Sequence, residues 1–387
     1  MKLRDFTTSG KRREALEKTL KIKLSHIGKF SFDEKIAGSR NCENMIGAAQ
    51  IPLGVAGPLK LRAESGELRV GNYYLPLATT EGALVASISR GCKAITESGG
   101  AHVYSYNVGT SRGPVFYTGG LENEKKLFAW VKKNEDKMKK AAAKTSKHIA
   151  LKKVSIRGVG QYAFVRFSYD TQDAMGMNMV TIATEEIAKL VEKETGIACL
   201  SIAGNFDIDK KAAWVNFINA RGHKAWAEVV IPKKVLKNVL KTNSQKLFDV
   251  WLAKCMIGSA MSGSMGFNAH FANVVAALFL ATGQDAAHVV EGSMGITTAK
   301  VLKNGDLYVS VYLPSLLIGT VGGGTALATQ KECLEMLGVA GGASGKNAQK
   351  FAEIIAGAVL AGEVSLLASL SVGSLGKSHQ ELARGGK

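Results

Sequence analysis

The strongest constraint on the fold of this chain is a change of hydrophobic period between residues 113 and 207. The segment opens with GPVFYTGG, which reads as a strand, and passes into a helical pattern over 122 to 145. KVSIRGVG and YAFVRFSY follow as two alternating runs across a tight turn, then a second helical pattern over 175 to 195 and the strand IACLSIAGNF. That order, β-α-β-β-α-β, is the order of a ferredoxin-like unit with a core of its own. The expected class is therefore α+β. A large mixed α/β domain is assembled from 41–112 and 208–370, with the unit at 113–207 inserted into it, a helical arm at 1–40 and a C-terminal tail at 371–387.

The arm carries Lys, Arg, Asp and Glu at helical spacing without Pro, and suits packing or contact with a second copy. Residues 41 to 61, NCENMIGAAQIPLGVAGPLKL, are punctuated by Gly and Pro like an ordered loop feeding a strand. Residues 73 to 100 read as a strand, a turn and a helix capped by Thr80 and ended by Gly99 and Gly100, with Glu81 in its first turn. Beyond 208 the spacing predicts strands at AWAEVVIP and DLYVSVYLP, and helices over 233–258, 267–282 (stopped by Gly283), 324–337 and 346–372. Their density of Gly, Ala and Ser implies close helix packing. The final SLGKSHQELARGGK is too short to hold a core and is expected to be mobile.

Composition narrows the partners. Fifty Lys plus Arg against 32 Asp plus Glu give a formal charge of +18, which favours phosphorylated cofactors, acidic metabolites or nucleic acid. The five cysteines are odd in number and scattered, with no CxxC; this argues against a zinc site or disulfide framework and fits a reducing compartment. The first thirty residues hold no apolar signal-peptide core, and no uncharged apolar run reaches 18 residues. A cytoplasmic protein without a membrane span is expected.

Neither a Rossmann fingerprint nor a Walker loop occurs. GTVGGGT, residues 319 to 325, is a loop whose amides could approach an anion ahead of a helix, or a plain turn. DAMGMNMV, residues 173 to 180, opens a helix and leaves room at Gly176 for a ligand, or simply fills a core with methionine. Ser146 and Lys147 follow a lysine-rich helix that reads first as a solvated face and second as a site for a phosphorylated nucleotide. Four ionisable residues sit where packing does not explain them: Glu81, Lys210 in GNFDIDKK, Asp285 after Gly283, and His379 in the tail. Each alone is more often structural or solvated than catalytic. Together they supply what carbonyl reduction with loss of a leaving group needs, namely an ammonium for the oxyanion, proton donors, and a carboxylate that tunes them.

Eight ordered blocks now stand out: ENMIGAAQIPLGVAGPL, LATTEGALVAS, DAMGMNM, GNFDIDKK, GSAMSGSMGFNAHFAN, GQDAA, GTVGGGT and KSH. Between residues 40 and 379 the chain resembles the catalytic portion of the 3-hydroxy-3-methylglutaryl-coenzyme A (HMG-CoA) reductases, in their biosynthetic class I form. The resemblance implies reduction of HMG-CoA to mevalonate and CoA by two NADPH. It also implies a homodimer with its sites at the subunit interface, possible pairing of dimers, and a C-terminal flap. By the resemblance Lys210 stabilises the oxyanion, Glu81 protonates the aldehyde stage, Asp285 is hydrogen-bonded between those two, and His379 protonates the departing thiolate. Ser146 and Lys147 match the adenosine 2′-phosphate site. Asp173, Met175, Gly176, Met177 and Asn178 line the cofactor with Gly322, Gly323 and Gly324. Arg112, Asp209, Lys211, Lys254 and Asn273 match residues around the HMG carboxylate and thioester; Ser87, Arg90, Lys93 and Lys241 match the CoA end. No metal is implied.

The sequence also departs from the family pattern. Lys147 stands where many class I members carry Arg, which keeps the charge and loses the bidentate fork. Ala203 replaces a usual serine. QELARGGK after His379 offers no phosphorylation acceptor, and the membrane-anchoring half of the eukaryotic forms is absent from this sequence, which points to a soluble, archaeal-type enzyme. Two rival readings remain: an NADH-using class II reductase that degrades mevalonate, and a basic nucleic-acid-binding protein. The latter requires exposed aromatics among the lysines. Residues 122 to 157 offer only Phe128 and Trp130, both expected to face the core.

Overall fold

The computed structural model describes residues 5–63 and 69–373, so His379 and most of the expected flap lie outside the described residues. Eleven strands are described: β1 (Leu53–Ala63), β2 (Arg69–Ala78), β3 (Ala101–Arg112), β4 (Val115–Tyr117), β5 (Ala150–Val159), β6 (Tyr162–Asp170), β7 (Cys199–Ser201), β8 (Gly222–Ile231), β9 (Gly266–Phe267), β10 (Gly295–Val301) and β11 (Leu307–Leu316). They form one hydrogen-bonded path, β7-β4-β6-β3-β8-β11-β10-β9, with β1 beside β3, β2 on β1 and β5 on β6. The molecule is a mixed α/β structure built on that large sheet.

β3 joins its two halves. From His102 to Gly109 it pairs antiparallel with β8, while its last residues, Thr110 to Arg112, pair with Tyr169 to Phe167 of β6. Its side chains alternate buried and exposed over AHVYSY and are then buried in succession at Gly109, Thr110 and Ser111, where both faces are covered.

On the β8 side the core is organised around helix Lys346–Ser371. Its apolar length would suffice to cross a membrane, but here it is a core helix buried on nearly every side, packed on β3, β8 and helix Leu84–Glu97. Small residues permit this: Gly91 of helix Leu84–Glu97 lies so close to the long helix that a Cβ there would stand 1.9 Å from the Ala361 carbonyl oxygen. On the β6 side, β4 to β7 are ordered β7-β4-β6-β5, every pairing antiparallel. Helices Leu121–Lys133, Glu135–Ala143 and Met177–Thr195 close a separate core there around Phe116, Leu127, Met138, Val165, Phe167 and Ile187.

Several expected helices are divided, most of them at a polar side chain or a left-handed residue and one at an extended leucine. The arm is two helices, Ser9–Leu20 and Glu34–Arg40, capped by Thr8 and Asp33, and the first ends at left-handed Lys21. The helix expected over 122–145 breaks at Asn134. The one expected over 233–258 stops after Lys233–Asn238; Lys241 is left-handed, and Asn243 caps a new helix, Ser244–Trp251, that continues as a π-helical turn through Leu252–Gly258. The pattern at 324–337 begins as the 3₁₀ turn Gly323–Ala326, and extended Leu327 separates it from helix Ala328–Met336. Glu81 is also displaced from its expected place. Helix Leu84–Glu97 starts behind left-handed Ala83 with no side-chain cap from Thr80, and Glu81 lies in the preceding turn, its N–H donating to Thr79 Oγ1 at 3.0 Å.

In an exposed helix a Gly to Ala change stabilises by about 1 kcal/mol. Gly91→Ala should do the opposite, because the new methyl meets backbone, and is expected to cost about 1–3 kcal/mol. A thermal melt reads the sign directly, and an unchanged or raised midpoint would contradict the packing described.

Candidate active site

The loop between β7 and helix Trp214–Asn219 carries the GNFDIDKK block, and its backbone is unusual. Asn205, Ile208 and Lys210 all have left-handed φ values, 61°, 49° and 58°. For β-branched Ile208 this is a true outlier, and each such residue costs about 1–2 kcal/mol, so the conformation persists only where its surroundings hold it. They do. Arg112 Nη1 reaches Asp207 Oδ2 at 3.3 Å, and Asn216 Nδ2 donates to the Ile208 carbonyl at 2.8 Å. The wholly buried Arg221 donates to Asp209 Oδ1 at 2.9 Å and to Glu291 Oε1 at 2.7 Å, while the Lys210 N–H donates to Glu291 Oε1 at 2.6 Å.

Held this way, the Lys210 ammonium meets Asp285 Oδ2 at 2.8 Å. Asp285 sits just past left-handed Gly283, which ends helix Phe271–Thr282, and its other oxygen accepts the Ala287 N–H at 3.0 Å. The hydrogen bond to Asp285 raises the Lys210 pKa above its ordinary value, against the partial burial that works to lower it. Burial pushes the Asp285 carboxyl up, but the Lys210 hydrogen bond, the Ala287 amide and the neighbouring His288 outweigh it and the net shift is downward. Both groups are therefore charged throughout the neutral range. Asp209, His288 and Glu291 bring donor atoms within 4.8 Å of one another, a spacing a metal could use. Arg221 Nη1 already donates to both of those carboxylates, so the position carries a cation from the protein itself.

Asp285 also lies on the wall of a cavity of about 590 Å³, within the range of small-molecule sites. The DAMGMN and GTVGGG segments form its sides, with Met175, Gly176, Met177 and Asn178 on one and Gly322, Gly323 and Gly324 on the other. The two segments touch backbone to backbone: Thr320 N–H donates to the Asp173 carbonyl at 2.8 Å, Ala174 bridges to Val321, and a Cβ on Gly319 would stand 2.5 Å from the Met175 nitrogen. Helix Met177–Thr195 opens at this cavity behind Gly176 with no side-chain cap, leaving its first amides and the positive end of its dipole to an anion. Ser146 Oγ lies 4.0 Å from Met179 Sδ at the same helix start, and Lys147 beside it is exposed.

Asp173 opens the same segment. The Asp173 carboxylate is buried and accepts from the amides of Ala343, Gly345 and Ala348, so it fixes the start of helix Lys346–Ser371 rather than facing the cavity. Among the expected substrate residues, Arg112 donates to Thr181 Oγ1 as well as to Asp207 and so ties β3 to helix Met177–Thr195. Lys211 is exposed and reaches Asn205 Oδ1 at 3.2 Å. Ser87 and Arg90 bond Ser365 of the long helix, Arg90 also reaching Ser369. Lys93 is exposed near Glu97, Lys254 is exposed on the π-helical turn, and Lys241 borders a separate cavity with Thr242 and Val372.

Glu81 does not join Lys210 and Asp285 within this chain. Its Oε1 accepts from Asn273 Nδ2 at 3.2 Å, near the start of helix Phe271–Thr282, whereas Asp285 lies beyond the end of that helix. The ten residues from Asn273 to Gly283 span about 15 Å. Sequence reasoning missed Asn216, Arg221, His288 and Glu291. Their only local signal is a charged or polar residue at the edge of an apolar run, and their partners lie up to 110 residues away.

With this geometry in place, comparison with known proteins is informative. The family model for hydroxymethylglutaryl-coenzyme A reductase matches residues 8–384. The chain is 51% identical to the 3-hydroxy-3-methylglutaryl-coenzyme A reductase of Pyrococcus horikoshii over 96% of this chain and 91% of that one. It is 49% identical to that of Methanothermobacter thermautotrophicus over 97% and 93%, and 43% identical to reductase 1 of Dictyostelium discoideum over 96% and 68%. Among solved structures, the class II reductase of Streptococcus pneumoniae bound to NADPH superposes with a TM-score of 0.69 at 18% identity, covering 94% of this chain and 97% of that one, a likeness of fold.

The Lys210–Asp285 pair has a definite pH signature. Its contribution to stability is present above the ordinary carboxylate pKa and below the ordinary lysine pKa; it is lost as pH falls through the depressed Asp285 value or rises through the raised Lys210 value. Competitive amine labelling against pH should place the Lys210 midpoint above the ordinary 10.5, with Asp285→Asn bringing it down. A wild-type midpoint at or below that value would contradict the pairing.

Proposed function

Because the chain belongs to the hydroxymethylglutaryl-coenzyme A reductase family, we propose that it reduces HMG-CoA to mevalonate and CoA with two NADPH, on the mevalonate route to isoprenoids. The observation that carries this reading is the Lys210–Asp285 pair on the wall of a cavity bounded by an uncapped helix start and a triple-glycine loop. Those residues fit a dinucleotide. The first amides of helix Met177–Thr195 and the 322–324 loop suit its phosphates, and Ser146 with Lys147 suits a 2′-phosphate near Met179. Bound NADPH supplies hydride to the acyl carbon, once for the thioester and once for the aldehyde.

The protein's own groups do the rest. As negative charge builds on the acyl oxygen, the Lys210 ammonium faces it, and Asp285 keeps that ammonium protonated. Glu81 delivers a proton at the aldehyde stage, and the thiolate that leaves takes one from His379. Two protons and two hydrides are thus consumed for each HMG-CoA, and CoA departs as the thiol. Asn273 orients Glu81. Lys211, Asp209, Lys254 and Arg112 serve the HMG end and thioester as binding or supporting groups, and Ser87, Arg90, Lys93 and Lys241 the CoA end.

We read β4 to β7 and their helices as the inserted ferredoxin-like cofactor domain, 113–207, on the strength of their own core and the order β7-β4-β6-β5. The segments 41–112 and 208–370 are read as the substrate domain, 1–40 as the arm and 371–387 as the flap. The bond of Glu81 to Asn273 near the start of helix Phe271–Thr282, with Asp285 beyond its end, supports a homodimer in which Glu81 of one copy completes the site of the other. The DAMGMN segment and the Ser146–Lys147 pair favour the NADPH-using class I form over an NADH-using one. Five free cysteines suit the cytoplasm.

NADPH absorbance on mixing protein with HMG-CoA should fall by two equivalents per substrate, and more slowly with NADH. Lys210→Ala should lose roughly a hundred- to a thousandfold in turnover while remaining folded; retained turnover would remove Lys210 from the chemistry. Mixing Glu81→Ala and Lys210→Ala chains tests the shared site. Random dimers should recover about a quarter of wild-type activity, since half are mixed and each mixed dimer holds one intact site. No recovery would mean that each chain carries its own.

A further inference from the structure

Three wholly buried polar side chains outside the reacting groups converge beneath the loop that carries Lys210: Asn216, Arg221 and Glu291. They come from separate elements, namely helix Trp214–Asn219, the entry to β8 and helix Val289–Gly292. Glu291 is the centre. Its Oε1 accepts the Lys210 N–H at 2.6 Å and Arg221 Nη1 at 2.7 Å, and its Oε2 accepts Asn216 Nδ2 at 3.2 Å. Asn216 also holds the Ile208 carbonyl at 2.8 Å, and Arg221 holds Asp209 Oδ1 at 2.9 Å. Each of residues 208, 209 and 210 is thus tied to one member of the cluster. Two of those three residues are left-handed, a conformation that neither isoleucine nor lysine keeps unaided.

A side chain leaves its backbone in a direction set by that backbone. The bond from Glu291 to the Lys210 N–H therefore aims the ammonium, which arrives 2.8 Å from Asp285 Oδ2. We propose that Glu291 is a positioning residue for the reduction, fixing Lys210 in the left-handed conformation from which its ammonium meets Asp285 and the acyl oxygen. Arg221 supplies the counter-charge that lets a carboxylate remain buried there. His288, also buried, places its ring 3.4 Å from Glu291 and 3.7 Å from Asp285, and the buried Arg166 of β6 donates to Asn216 Oδ1 at 2.9 Å, so the cluster also faces an imidazole and a second guanidinium. The proposal rests on the reading of Lys210 as the oxyanion-stabilising group.

The test compares Glu291→Ala with Glu291→Gln in the full chain, by HMG-CoA and NADPH kinetics and by the pH midpoint for labelling Lys210. In Glu291→Ala, kcat should fall about a hundredfold while the KM for NADPH changes by less than about twofold, because misplacing one group by an ångström has that effect and the cofactor cavity does not include Glu291. The Lys210 midpoint should return toward that of a free lysine. Glu291→Gln retains an acceptor for the Lys210 amide and should recover kcat to within about tenfold, with the midpoint still raised. A folded Glu291→Ala protein with kcat within about threefold of wild type, an unmoved midpoint, or a Gln variant no better than the Ala one would overturn the proposal. If Glu291→Ala does not fold, Asn216→Ala should reproduce the loss of kcat and the lowered midpoint in smaller measure, and wild-type values in that variant would overturn it equally. A wild type without HMG-CoA turnover would instead defeat the functional reading, and the labelling midpoints would still decide whether Glu291 aims Lys210.

Discussion

The buried guanidinium of Arg221 is the interaction on which the rest of the site depends. It is the largest side chain among those withdrawn from solvent, and all three of its nitrogens are engaged. Nε and Nη2 bond the side chain and carbonyl of Ser111 on β3; Nη1 bonds Asp209 and Glu291; and Nη2 also contacts Met177 Sδ at the start of the cavity helix. One residue thereby links the strand shared by both halves of the sheet, the loop bearing Lys210, the helix behind Asp285 and the mouth of the cavity. A buried cation with two carboxylates is not a strong source of net stability, because desolvation offsets most of its attraction. Its value lies in what happens without it: two carboxylates would remain inside the protein with one cation fewer, and the loop conformation would lose its anchor.

The same economy appears at β3. Its first part alternates faces and belongs to the sheet that covers the long central helix, while its last three residues belong to the sheet of the smaller core. Arg112, its final residue, holds both Thr181 of the cavity helix and Asp207 of the Lys210 loop. The cavity helix and the Lys210 loop are therefore both tied to the end of one strand through a single guanidinium.

Legibility in the sequence followed the range of the interactions. The strand and helix periods and the stop at Gly283 depend on neighbours within a few residues, and each is visible in the chain, whereas the glycine loop's close approach is to the distant DAMGMN segment and a plain turn reads equally well there. Helix ends are less so, because Asn134 and Asn243 compete through their side chains for backbone groups and Ala83 turns left-handed, neither of which periodicity registers. The amides that hold the Asp173 carboxylate lie some 170 residues on and leave no trace in the DAMGMN segment itself. Arg221 and Glu291 carry no local pattern at all, since a charge at the edge of an apolar run reads as surface until the fold brings its partner to it. The separation of Glu81 from Lys210 belongs to this class too. Both residues lie in recognisable blocks, but the fold bonds Glu81 to Asn273 near the start of helix Phe271–Thr282 and Lys210 to Asp285 beyond its end.

The net charge of +18 is distributed unevenly. Many lysines of the smaller half are on the outer faces of its helices, where Lys137, Lys139 and Lys189 pair with Glu194, Glu135 and Glu186. Exposed pairs of this kind add little to stability, and Trp130, one of the two aromatics among them, donates its indole N–H to Glu194 instead of offering a stacking face. What remains of the charge acts at longer range. A positive field over a surface that opens on one anion-ready helix start draws in small polyanions and raises their rate of encounter, while the carboxylates nearest Lys210 stay neutralised by Arg221 and by Lys210 itself. A dinucleotide phosphate and a coenzyme A thioester are both such polyanions, so the field serves each of the two ligands that the proposed reaction brings to this cavity.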